Sequence, residues 1–80
     1  MGYDAKTMRE TIIKPKLTEM FGVTLASVLL TDATLAGMAG KTEREKIQIM
    51  LDKICGDKKV LGMWGAAQTA KQKQEWLKLA

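Results

Sequence analysis

Residues 42–56 read TEREKIQIMLDKICG, and each feature of the stretch names the same element. Thr42-x-x-Glu45 is a capping box, in which a hydroxyl and a carboxylate each accept an N–H left free at a helix start. Ile47, Met50, Leu51 and Ile54 follow at i, i+3, i+4 and i+7, which is one helical face. Gly56 stands where a left-handed residue stops a helix. The reading is a helix over Glu43–Cys55 with one buried stripe. Ile49 points away from that stripe, between Lys46/Lys53 and Glu45/Asp52. It reads either as an isolated exposed isoleucine, which is ordinary, or as the apolar centre of a contact ringed by charge.

Upstream, Ile13, Leu17, Met20 and Phe21 form a second helical stripe that Gly22 ends. Met8 and Ile12 fall on a different face at 100° per residue, and Pro15 stands between the two sets. Proline lacks a backbone donor and kinks a helix. Residues 4–21 therefore read as one kinked helix or two short ones, with Asp4 as N-cap. From Leu25 to Met38 the chain is apolar almost all round, the pattern of a central, buried helix with Thr24 as its cap. Asp32 interrupts the arc, so a break is expected there, with Thr31 or Asp32 capping a second turn.

Downstream, Val60, Leu61 and Trp64 share a face, whereas Trp76, Leu77 and Leu79 would point the other way on a straight helix. The pattern predicts a short helix after Asp57, a break near Gly65–Thr69, and a terminal helix over Ala70–Leu79, with Thr69-x-x-Gln72 as a second capping box. No internal repeat, low-complexity run or hairpin signal occurs. The whole is an all-α domain over residues 1–80, a compact bundle of four to six short helices without a sheet.

Composition narrows the chemistry. Eighty residues bury a modest core, and a chain this small gains from oligomerisation or a permanent partner. There is no histidine and one cysteine, so no intramolecular disulfide exists and a four-ligand zinc site is excluded. A lone thiol fits a reducing, cytoplasmic setting. The N-terminus MGYDAK lacks the apolar segment of a signal peptide. Met20–Gly40 has Asp32 as its only charge, but insertion gains and the cost of a central Asp nearly cancel, so a soluble helix pair is the reading and no membrane partner is expected.

The charge is uneven. Residues 1–57 carry eight basic and eight acidic side chains, and the net +4 comes from Lys58, Lys59, Lys71, Lys73 and Lys78 against Glu75. Both tryptophans lie in this last quarter. A basic tail suggests nucleic acid, yet it has no arginine, the usual base reader. A helix-turn-helix placed at Glu43–Trp64 would offer only Lys58 and Lys59 before turning apolar. Trp64 between Gly62 and Gly65 reads as a recognition surface or as filler at a tight helix crossing, whereas Trp76 reads as core. The internal methionines default to core filler, with Met63, beside Trp64, the adaptable contact.

The remaining motifs carry no reaction. Gly40-Lys41-Thr42 resembles the end of a phosphate loop, but Leu35 stands where the first glycine belongs. Asp32 has no partner for acid–base work, and Ser27, Thr31 and Thr34 have no histidine to activate them. Cys55 sits at a helix C-terminus, the wrong end of the dipole for a thiolate. No catalytic constellation, metal site or cofactor site can be assembled. The expectation is a non-enzymatic protein-interaction module that binds another protein or itself. Its contacts are Ile49, Lys58, Lys59, Met63, Trp64, Lys71, Lys73 and Lys78. The alternative is a nucleic-acid-binding accessory domain using the five tail lysines on phosphates.

Overall fold

The helix read from residues 42–56 is the hub of the molecule. A computed structural model describes residues 2–80, and among them are five helices and no strand, an all-α bundle. Helix α1 covers residues 5–21 in three segments, Ala5–Thr7, a π-helical Met8–Ile13, and Lys14–Phe21. Then come α2 (Val23–Gly37), α3 (Glu43–Cys55), α4 (Lys58–Trp64) and α5 (Ala66–Leu79). Helix α2 packs mainly on α3 and on the second half of α1, and α5 packs on α3 and α4. Every helix contributes to one core, and Ile47, Met50, Leu51 and Ile54 of α3 are its buried middle.

Local chemistry explains why α3 holds that place. The Thr42 hydroxyl accepts the Glu45 N–H at 3.1 Å. The Glu45 carboxylate reaches one residue further back than a strict capping box, accepting the Lys41 N–H at 2.8 Å. Gly56 is not left-handed, with φ −90°. The chain turns directly into α4 there, because the Asp57 side chain caps the next helix through the Lys59 N–H at 2.8 Å. The start of α3 is also tied to the start of α1. Glu43 Oε1 accepts the Ala5 N–H at 2.9 Å, and Asp4 caps α1 by accepting the Thr7 N–H at 2.7 Å. Those N–H groups hold both carboxyls below the ordinary carboxylate range, Lys46 adding to the effect at Glu43.

Helix α1 corrects the expected change of face at Pro15. It is continuous, and the adjustment comes before the proline. The Lys14 N–H bonds to the Arg9 carbonyl, an i→i−5 bond. The wider turn puts Met8 and Ile13, five residues apart, in the same core, with Leu17 four further on; all three have no exposed surface. Straight α-helical geometry had separated Met8 from Ile13.

Two glycines act as one-residue joints of the same shape. Gly22 (φ 85°) and Gly65 (φ 82°) adopt a backbone that residues with a Cβ rarely take. Each closes one helix, through Gly22 N–H to Thr18 and Gly65 N–H to Leu61. Each then offers its carbonyl to the next, to the Ala26 and Thr69 N–H groups. Gly22 therefore stands where Thr24 was expected as cap. The last helix begins at Ala66 rather than Ala70, so Thr69 lies within it, buried, its hydroxyl donating to the Gly65 carbonyl at 2.7 Å.

Helix α2 departs furthest from expectation. It runs unbroken through Asp32, which is exposed, and it lies at the surface rather than in the centre. Its inner face is small: Ala26, Ala33 and Gly37 with Leu29 and Leu30. A Cβ on Gly37 would stand 2.9 Å from Met50 Cγ and 3.2 Å from the Lys46 carbonyl oxygen, so the glycine lets α2 lie close on α3. The larger side chains at Val28 and Leu35 are left on the other side.

Candidate interaction surface

The outer face of α2 follows from that packing. Thr24, Val28, Thr31 and Leu35 succeed one another at spacings of four, three and four, and Met38 continues the row three residues later, just past the helix end. This is the spacing of a coiled-coil seam. Val28 is 52%, Leu35 63% and Met38 73% exposed. Val23, at the start of the helix, is exposed too, so four of the seven exposed large apolar residues among the described residues belong to this one helix and its end. Singly exposed apolar residues are ordinary. A row with a helical period is a surface shaped for another helix. Asp32 flanks the row on one side. On the other, a groove against α1 is lined by Arg9, Glu10, Thr34 and Leu35, and Arg9 pairs with Glu10 at 3.4 Å.

The residues chosen from sequence lie elsewhere and are scattered. Ile49 is half-buried on α3, in a shallow depression with Ala39, Gly40, Glu45, Gln48 and Asp52. Lys58 and Lys59 are exposed at the start of α4, and Met63 is exposed on the same helix. Lys71 and Lys78 are exposed on α5, seven residues apart with Glu75 between them. Lys73 is half-buried and ion-paired with Asp52 of α3.

Trp64 is half-buried and packs against the core. Its ring lies 6.1 Å from that of Trp76 at a 59° tilt, within the range of favourable aromatic pairs. The bend at Gly65 brings the two rings together, as the opposed faces of the tail required. The glycines beside Trp64 do not make a tight crossing, because a Cβ on Gly62 or Gly65 would have nothing within 4 Å. Of the internal methionines, Met8 and Met50 are buried and Met20 half-buried, whereas Met38 and Met63 are exposed; Met1 lies outside the described residues.

No acid–base or nucleophilic arrangement forms around the remaining candidates. Cys55 is buried, and burial pushes its thiol up to about 11, although Lys73 draws it down. Because the folded state holds the thiol proton more tightly than the unfolded chain, this stabilisation is complete below pH 9 and is lost as pH rises toward 11. The chain should lose about 1.5 kcal/mol between pH 9 and 10.5 from this group. Urea titrations of wild type and Cys55→Ala across that range check it: equal slopes against pH in both proteins would show that the thiol is not the cause. Among the described residues, no cluster of three or more metal-ligating side chains occurs and no helix is long and apolar enough to cross a membrane.

The strip on α2 is not among the contacts expected from the sequence, because that segment reads as apolar all round and broken at Asp32. Taken as one helix, the signal is present in the sequence, since the row from Thr24 to Met38 keeps its period across the aspartate. No protein-family model matches this chain, and no curated protein or solved structure matches it.

Proposed function

We propose that the protein is a non-catalytic interaction module that receives a helix of a protein partner on the outer face of α2. The observation that carries this reading is the uncharged row Thr24–Val28–Thr31–Leu35, exposed on a helix whose opposite face is closed against α3. Covering a half-exposed Val or Leu gains about 1 kcal/mol each, so a facing helix with matching apolar residues is the natural occupant. The tail contacts expected from sequence support the reading less well, because Trp64 faces the core and Lys73 is engaged by Asp52. The proposed setting is the reducing cytoplasm, where a single buried thiol needs no partner.

The nucleic-acid alternative retains four exposed lysines, Lys58, Lys59, Lys71 and Lys78. Phosphate binding by these would weaken steeply with salt. Oligonucleotide binding that falls with salt and is lost on Lys71→Gln/Lys78→Gln would favour that reading.

A photo-crosslinking residue at position 35, expressed in the protein's own cells, tests the α2 reading against the tail. Position 35 should give a discrete protein adduct, and position 71 should not. Adducts from 71 alone, or a smear from both, would remove the α2 face from consideration. Leu35→Lys should abolish the adduct formed from position 28 while changing folding stability by less than about 0.5 kcal/mol, because the side chain makes little of the core. Urea titration of the same variant checks that second value.

A further inference from the structure

We infer that the helix received on α2 is α2 of a second copy of this chain, packed antiparallel about a two-fold axis level with the Leu29–Leu30 peptide. This rests on the reading of the strip as a protein contact and names its occupant. The row itself is self-complementary. Antiparallel seams place a positions against d positions, and here that sets Thr24 against Leu35 of the second copy and Val28 against Thr31 of the second copy. Each layer then joins one threonine to one larger apolar residue, and the two-fold repeats both layers, as an isologous interface requires. A parallel pair would stack threonine on threonine and leucine on leucine, giving layers of unequal volume. The neighbouring antiparallel register would need Met38, which lies beyond the helix end. The threonine hydroxyls do not need the partner, since mid-helix threonines donate to the carbonyl four residues back, as Thr34 does to Leu30 at 2.7 Å.

Charge selects the same face. Two copies of a +4 chain repel, and all thirteen basic side chains lie outside residues 17–40. The cation nearest the row, Arg9, is already beside Glu10. Apposing the two α2 helices is therefore an approach that sets no lysine or arginine of the apposed helices against its copy. The two Asp32 carboxylates would stand about 7.5 Å apart along the axis, at the wet edge, where their repulsion is small.

Area sets the strength. From Thr24 to Leu35 the row is about 17 Å long on a helix about 10 Å across, so the pair covers on the order of several hundred Å² in total, below the roughly 1,200 Å² of a stable specific interface. The dimer is accordingly a weak, transient one.

Sedimentation equilibrium of the full chain from 5 μM to 1 mM tests the partner. The mean mass should climb from 8.8 kDa toward twice that value, and Leu35→Lys should shift the curve by at least tenfold in concentration. A mass that stays at 8.8 kDa to 1 mM overturns the inference. An association that Leu35→Lys leaves unchanged also overturns it. Register is read by disulfide trapping in a Cys55→Ala background. Mixed Val28→Cys and Thr31→Cys chains should form chiefly the 28–31 cross-link, whereas a dominant 28–28 product would show parallel packing and overturn the arrangement. The in-cell adduct from position 35 separates the two levels. A discrete adduct with a different protein, from a chain that is monomeric to 1 mM, keeps the α2 contact and removes the second copy. No discrete adduct from a monomeric chain removes both.

Discussion

Trp76→Ala is expected to remove a large share of the fold's stability at 25 °C. The indole is 4% exposed and anchors α5 to the core, and its ring meets Trp64 at 6.1 Å. Removing a buried tryptophan costs about 3–5 kcal/mol. A chain of eighty residues has a total stability of roughly 4–12 kcal/mol, so the loss takes about a quarter of it at the least. The C-terminal helix holds little else in the core, since Thr69 is its only other buried residue. Trp64→Ala should cost less, about 1–2 kcal/mol, because that ring is half-buried to begin with. Urea titrations followed by far-UV circular dichroism measure both losses without relying on the deleted fluorophore. A loss under 1 kcal/mol for Trp76→Ala, or a larger one for Trp64→Ala, would mean that α5 is anchored in some other way.

What could be read from the sequence depended on how local the signals were. The α3 helix was legible to the residue because cap and period lie within fifteen positions, although Gly56 ends it without the left-handed turn expected there. The tail was legible in outline, since two opposed apolar faces cannot share one straight helix. Gly65 makes the bend itself, which moves the start of the last helix four residues earlier than its threonine suggested. The π turn was not legible, because face arithmetic at 100° per residue presupposes the hydrogen-bond pattern that it replaces. Asp32 did not break α2, because an exposed aspartate in a helix interior costs only a few tenths of a kcal/mol against its neighbours.

The α2 row was less legible than the fold, and for a physical reason. Charge and aromatic content concentrate in residues 58–80, where Trp64 turns inward and Lys73 meets Asp52. Apolar content on all sides of 25–38 implies burial, but composition does not say which side faces in. Alanine and glycine on one side decide it, because only small residues let α2 approach α3 so closely. The strip opposite them is what the close approach leaves over.

Gly40→Ala is expected to destabilise the chain by about 2–3 kcal/mol, and Gly62→Ala to stabilise it by about 0.5–1 kcal/mol. The same atom is added in each case, and the sign turns on what it meets. At Gly40 a Cβ would stand 2.7 Å from the Lys46 nitrogen and 3.0 Å from Glu45 C and Lys46 Cα. These are backbone atoms in the first turn of α3. They cannot give way, since the Lys46 N–H is bonded to the Thr42 carbonyl at 3.0 Å and the Glu45 N–H to the Thr42 hydroxyl at 3.1 Å. The methyl must therefore push the 38–42 turn off the helix it crosses. At Gly62, inside α4, the methyl would meet nothing within 4 Å, and alanine mainly removes freedom from the unfolded chain. Urea midpoints of the two variants give both signs in one experiment; a neutral Gly40→Ala would show that the turn moves freely. The consequence reaches the outer surface as well. The turn at Gly40 follows directly on the end of α2, where Gly37 lies against Met50 and Lys46. Gly40→Ala should thus speed amide exchange over residues 33–37 and weaken association through the α2 row in the same protein, while Gly62→Ala, across the molecule on α4, should leave both unchanged.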